Sequence, residues 1–163
     1  MGEKNDLTQL AEVLIGEAIR AIDRSHPSNP PKLRFGAALK TSSGNVFSSS
    51  AFWSDTLTLA LHAEHAALAH AAAHNDRRVI AIACVSTEDP NGDAFCHPCG
   101  ICKQLIYENS LSSGIDVLVL MANRKGGFIS KRVSELDSFP WPDSHRGSRE
   151  IHPAAPGPIE GDR

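Results

Sequence analysis

The sequence predicts a three-layer α/β sandwich, with helices covering both faces of a mixed central sheet. Three observations carry that expectation. The chain begins with a helix bearing a single apolar stripe. Two near-continuous apolar runs, Val79 to Val85 (VIAIACV) and Asp116 to Met121 (DVLVLM), read as strands buried on both faces. A helical segment lies between those two strands, and another precedes the first of them.

Taken in order, Asp6 with Gln9 three residues on resembles a capping box with Asp in place of Ser or Thr, and is expected to start the first helix. Leu7, Leu10, Ala11, Leu14, Ile15, Ala18, Ile19 and Ile22 recur at helical spacing. The helix should stop near Arg24, before the breaker cluster of residues 25–31 (SHPSNPP). Leu33 to Thr41 and Val46 to Trp53 read as a β-hairpin around the turn Ser42-Ser43-Gly44-Asn45. Leu57 to His74 is alanine-rich and helical. Pro98 suits the first position of another helix, running to about Asn109, and a last extended piece covers Phe128 to Val133. The order αββαβαβ(β) follows, as one domain over residues 1–139. Residues 140–163 are rich in Pro, Gly, Ser and charge, and are expected to be a mobile tail or to lie across a neighbour.

The 163 residues suffice for a real hydrophobic core. Net charge is −3, with no block of like charges, so neither nucleic acid nor an acidic membrane surface is expected as a partner. No apolar run approaches the ~18 residues of a membrane span, and the first residues lack a signal peptide's apolar run. Asp6 stands where a myristoylation signal wants Ser or Thr. A cytoplasmic, reducing setting is expected, in which closely spaced cysteines are metal ligands sooner than disulfides.

Two short stretches carry the chemistry: His62-Ala63-Glu64 and Pro98-Cys99-Gly100-Ile101-Cys102. Cysteines at i and i+3 of a first helical turn share a face, so both thiolates can reach one ion, and a helix N-terminus favours their negative charge. His62, opening the other helix, completes a His-Cys-Cys set of the ligand types Zn²⁺ prefers, with a fourth position left for water. Two thiolates formally cancel the Zn²⁺ charge, and bound water should be acidic enough to ionise near neutral pH. Glu64 then has the place of an acid/base that moves protons between water, a ring nitrogen and departing ammonia. H-x-E followed by P-C-x-x-C is the known signature of zinc nucleobase deaminases.

Blander readings stand beside this one. Cys96-x-x-Cys99 is a second C-x-x-C, and Cys96 as a fourth ligand would close the site into a structural zinc. Cys84 reads as core, and His65, His70 and His74 as exposed or hydrogen-bonded. Trp53 is either a core or interface aromatic or a platform stacking on substrate, with Phe52 on the opposite side of its strand.

These motifs resemble the small zinc cytidine deaminase family, the group that includes blasticidin-S deaminase, over most of the chain. Phe35-Gly36-Ala37-Ala38-Leu39 with Ser43-Gly44 is similar to the family's V-G-A-A-L…(D)-G hairpin. His62-Ala63-Glu64 is similar to its H/C-A-E element, and Pro98-Cys99-Gly100-Ile101-Cys102-Lys103-Gln104 to P-C-G-x-C-R-Q. Ser134-Glu135-Leu136 with Phe139 is loosely similar to a late E-L-L-P…F element. The resemblance implies the αβα deaminase fold, zinc held by His62, Cys99 and Cys102, and Glu64 as proton shuttle. It also implies that the Ala63 and Cys99 backbones help hold ring and water, with Phe35, Trp53 and Pro98 as further substrate-binding positions. A homodimer or homotetramer is implied as well.

Three departures bear on the substrate. His62 and His65 stand where small cytidine deaminases have Cys and, after A-E, Arg; a neutral ligand removes the charge that the Arg offsets. The family's ribose-gripping N-x-E element aligns so that its Asn and Glu become Ala51 and Trp53. A phenylalanine just before V-G-A-A-L appears as Leu33. Chemistry is kept and sugar recognition is not. The expectation is a zinc-dependent hydrolytic deaminase of nucleoside-metabolism type, acting on a free aminopyrimidine such as cytidine or deoxycytidine. A modified, blasticidin-S-like amino-heterocycle is the near alternative. A non-catalytic zinc module and a polynucleotide-editing deaminase are the rivals.

Overall fold

The computed structural model describes residues 2–25, 33–136 and 152–153. Helix α1 (Gly2–Ile22) is followed by the hairpin β1 (Phe35–Thr41) and β2 (Val46–Ser50), helix α2 (Ala63–Ala73), strand β3 (Val79–Ser86) and helix α3 (Gly100–Ser113). Strands β4 (Ile115–Asp116), β5 (Leu118–Ala122), β6 (Phe128–Arg132) and β7 (His152–Pro153) complete it. Five strands form the main sheet in the order β2-β1-β3-β5-β6. β1 runs antiparallel to β2 and β3, β3 parallel to β5, and β5 antiparallel to β6, so the sheet is mixed.

Side-chain alternation splits the core into two layers. On one face Ala38, Ala81, Ala83, Val85, Leu120 and Ala122 pack against the α1 stripe of Ala11, Leu14, Ile15, Ala18 and Ile22. On the other, Leu39, Ile82, Val119 and Met121 pack against α2 and α3. This is why 79–85 is apolar at every position: both of its faces are covered. Small residues set the spacing. Gly36 lies against α1 so closely that a Cβ there would overlap the Ala18 carbonyl oxygen, so only glycine fits. On the opposite face Ala63, Ala67 and Ala71 form an i, i+4, i+8 stripe with 0% exposure, which lets α2 settle close to the sheet.

Several boundaries differ from expectation, each for a local reason. The first helix starts at Gly2, so Asp6 lies inside it rather than capping it. The 57–74 segment is not one helix: Leu57–Leu59 is a short 3₁₀ turn, and Phe52 and Leu61 exchange backbone bonds of 2.9 Å before α2 begins at Ala63. Pro98 precedes the cap of α3 instead of occupying its first turn, because Cys99 is extended at φ −70°, ψ 174°. α3 continues past Asn109 to Ser113 and stops at Gly114, whose φ of 71° is a left-handed cap that glycine adopts freely. The apolar run at 116–121 is broken at Val117, leaving a short β4 and a separate β5. At the end of the run 128–133, Val133 to Glu135 turns into a 3₁₀ helix. β7 pairs in parallel with β4. The rest of the expected tail, the boundary at 139, Phe139 and most of the breaker cluster lie outside the described residues. Among the described residues, no helix is long and apolar enough to cross a membrane.

One polar clasp ties the hairpin to the end of α2. Asp76 Oδ2 accepts hydrogen bonds from Ser43 Oγ at 2.5 Å, Thr41 Oγ1 at 2.8 Å and Asn45 Nδ2 at 2.8 Å. Burial pushes the Asp76 carboxyl up, but the three donors together outweigh it and hold it below the usual carboxylate range. A depressed carboxyl stabilises the fold above the unfolded-state value, near pH 4, and that contribution is lost as pH falls through the folded value. Asp76→Asn should therefore cost about 1 kcal/mol at pH 7 in urea denaturation, and the gap from the parent should close below about pH 4. A gap that persists unchanged at pH 3 would show that the carboxylate charge is not what the clasp uses.

Candidate metal centre and cleft

The two motif stretches come together because α2 and α3 both start at the same end of the sheet. His62 is the N-cap of α2 and Cys99 the N-cap of α3, both extended, and neither side chain bonds a backbone N–H of its own helix. Cys102 lies one turn into α3 and is fully buried. The expected pairing of two cysteines within one helical turn thus becomes a cap residue plus a first-turn residue, which leaves Cys99 exposed and Cys102 enclosed.

His62 Nδ1 lies 3.2 Å from Cys99 Sγ and 3.3 Å from Cys102 Sγ, and the two sulfurs are 3.6 Å apart. Tetrahedral zinc with ordinary bond lengths would separate two thiolates by about 3.8 Å and a thiolate from an imidazole nitrogen by about 3.6 Å. The three atoms therefore match a metal's ligand spacing to within a few tenths of an ångström. Burial, and then the nearby Glu64 and Cys99, push the Cys102 thiol far up. The two helix N-termini favour the thiolate forms, and a cation held by the three side chains would favour them further.

Among the described residues, the potential metal-binding groups consist of these three side chains. Cys96 is not one of them. Its thiol neighbours that of Cys84 in the core, and Cys84 Sγ donates to the Cys96 carbonyl at 3.3 Å. A site closed by Cys96 has no support in this arrangement. His70 Nδ1 faces the Ser48 carbonyl at 3.3 Å and His74 Nδ1 the His70 carbonyl at 2.9 Å, so both are engaged away from the cluster. The His65 ring lies 5.8 Å from that of His62, tilted by 57°, and its buried Nδ1 has no hydrogen-bond partner among the described residues. Burial and then His62 hold its imidazole below the usual range.

Glu64 sits in the first turn of α2 and is 6% exposed. Burial pushes its carboxyl above the ordinary range, against smaller opposing influences from a backbone hydrogen bond, the Cys102 thiol and His62. A cleft of about 220 Å³ opens over this corner. His62, Glu64 and Cys99 form its floor, and Phe35, Ala51 and Trp53 contribute apolar surface. The Phe35 and Trp53 rings are 6.2 Å apart and tilted by 59°, and Trp53 Nε1 donates to the Leu33 carbonyl at 2.9 Å, which steadies the indole. Phe52 is 49% exposed and is not among the residues that line the cleft. Ala63 and Pro98 are buried, and neither is among the residues that line the cleft.

Two further residues line the cleft: Glu88, which no motif singles out, and His97, which the sequence offers only as another donor beside Cys96. Glu88 follows the carboxyl end of β3, the edge at which open α/β sheets collect ligands, and that position was the available signal. His97 stands between Cys96 and Pro98, and its Nδ1 lies 3.1 Å from Met121 Sδ.

Comparison with known proteins agrees with this geometry. The model of a family described as the cytidine and deoxycytidylate deaminase zinc-binding region matches residues 8–118. Among solved structures, a cytidine deaminase from Burkholderia pseudomallei is similar at 27% identity and a TM-score of 0.69, over 80% of this chain and 98% of that one. A cytidine deaminase from Mycobacterium leprae is similar at 25% identity and 0.63, over 78% and 96%. One from Bacillus anthracis, at 22% identity and 0.62 over 81% and 89%, shares the fold. With the matched region holding both motif stretches and most of the chain, the protein belongs to the cytidine and deoxycytidylate deaminase zinc-binding family.

Proposed function

We propose that the protein is a zinc-dependent hydrolytic deaminase that replaces the ring amino group of a small aminopyrimidine with oxygen and releases ammonia. The observation that carries this reading is the trio His62, Cys99 and Cys102 at metal-ligand separations, with His62 and Cys99 lining a cleft beside the buried carboxyl of Glu64 and Cys102 enclosed behind them. His62 Nδ1 and the two sulfurs would hold the ion, leaving one position open toward the cleft. The chemistry that zinc supplies in such a site is Lewis-acid activation of water.

The chain's own residues would do the rest. Glu64 takes a proton from the attacking water at a carboxyl oxygen and gives it to a ring nitrogen. It then takes a second from the hydroxyl now on the ring carbon and gives it to the departing amine as the C–N bond breaks and the carbonyl forms. Its place two residues after His62 sets it beside the residues that would hold the ion, and it is not one of the three potential ligands. Phe35 and Trp53 offer an apolar wall for a flat heterocycle, which excludes water from the ring faces. Cytidine and deoxycytidine are the first substrates to test. Ala51 and Trp53, both in the cleft where the resemblance places ribose-gripping Asn and Glu, favour a modified aminopyrimidine as the second reading. A cytoplasmic homodimer or homotetramer is part of the proposal.

Ammonia release should be measured with zinc-loaded protein across cytidine, deoxycytidine, cytosine, adenosine, guanine and blasticidin S. Glu64→Gln should lower turnover of the accepted compound by about a hundredfold or more with zinc content unchanged. Undiminished turnover in that variant would remove Glu64 from the chemistry. The protein should bind one zinc per chain, and Cys102→Ser should bring metal analysis well below that stoichiometry. A chelator should abolish turnover, and added zinc should restore it. Equal zinc content in the parent and Cys102→Ser would place the metal elsewhere.

A further inference from the structure

The cleft contains two carboxylates that serve different ends. Glu64 is buried on the floor, whereas Glu88 is exposed, on the loop just past β3. Glu88 lines the same cleft as Trp53 and Ala51, yet it has no cation to answer it among the described residues. Among the described residues its side chain has only a long contact with Ser86 Oγ, at 3.4 Å. Apart from the residues on the floor, the other polar side chain in the lining is His97, whose Nδ1 is turned to Met121 Sδ. Phe35, Ala51 and Trp53 offer a ligand hydrophobic contact, and the Trp53 N–H is already given to Leu33. A carboxylate has no donor of its own while ionised, so what it can hold is a group rich in N–H or O–H, most strongly a cation. It also repels phosphate.

We infer that Glu88 is a specificity residue: its carboxylate receives a cationic amine or guanidinium on the non-reacting end of the substrate, while the ring sits between the Phe35–Trp53 wall and the metal centre. This rests on the deaminase reading for the orientation of the ring. It adds a substrate class, a cationic amino-heterocycle, and disfavours nucleotides by a similar small factor.

Two cytosines of matched length, one cationic and one neutral, test it: 1-(3-aminopropyl)cytosine and 1-butylcytosine, titrated calorimetrically into the zinc-loaded protein and into Glu88→Gln. The parent should bind the ammonium compound about fivefold more tightly, the upper range for an exposed charge pair, and the preference should weaken with added salt. Glu88→Gln should reduce the ratio to near one. Glu88→Lys should invert the preference, now for 1-(2-carboxyethyl)cytosine over the ammonium compound. A parent ratio near one, a ratio unaltered by Glu88→Gln, or no binding of either probe would overturn the inference. Ammonia release from both probes, followed in parallel, separates the two claims. Discriminating binding without release from either would sink the deaminase reading and leave Glu88 as a cation-binding residue.

Discussion

Everything distinctive about this molecule depends on two helices beginning at one point. α2 and α3 are separated in sequence by a buried strand and a long loop, yet their N-caps, His62 and Cys99, lie within 3.2 Å side chain to side chain. The constraint that enforces this is packing. α2 presents only alanine at its fully buried stripe, and α3 is anchored by Ile106 and Tyr107 in the same layer. With no bulky side chain at Ala63, Ala67 or Ala71 to hold α2 off, the helix sits directly on the strands. Its N-terminal end is then placed by the sheet rather than by a flexible loop. Protein interiors are close-packed, so a helix seated this way has little freedom to slide.

The opposite face uses the same device for another purpose. Gly36 accepts the backbone of α1 where any side chain would overlap it, and alanines at 38, 81, 83 and 122 continue the flat surface. The sheet is therefore clamped from both sides at short distance. The β1–β3 register, Phe35 opposite Ser86 through Lys40 opposite Ala81, holds Phe35 beside the loop that carries Glu88. Cleft and core are thus built from the same strands, and the cleft wall inherits the rigidity of the core.

Much of this was legible in the sequence because the signals were strong and local. The buried strand at 79–85 is apolar at every position for a reason that can be stated beforehand, and the α1 stripe follows helical spacing without a break. His62, Cys99 and Cys102, which the structure brings to one point, stand out in the sequence because metal ligation demands particular atoms at particular spacings. Boundaries were less legible. Pro98 is compatible with the first turn of a helix and equally with the residue before the cap, and only the extended ψ at Cys99 decides between them. The break between the 57–59 turn and α2 depends on the Phe52–Leu61 backbone pair, a contact no local pattern announces. Glu88 was missed for a related reason: as one exposed acid in a loop, it has no periodicity to reveal which side chains it will face.

The uncapped starts of α2 and α3 have a dynamic consequence. Most helices satisfy their first free amides with a serine, threonine or aspartate side chain, and so remain wound whether or not anything is bound nearby. Here the cap positions are held by His62 and Cys99, whose side chains point to each other instead. The opening turns, Ala63–Glu64 and Gly100–Ile101, thus start without a side-chain cap: core packing holds Ala63, and the His62–Cys99 contact ties the two starts together. Slow amide exchange at both would report that the corner is intact.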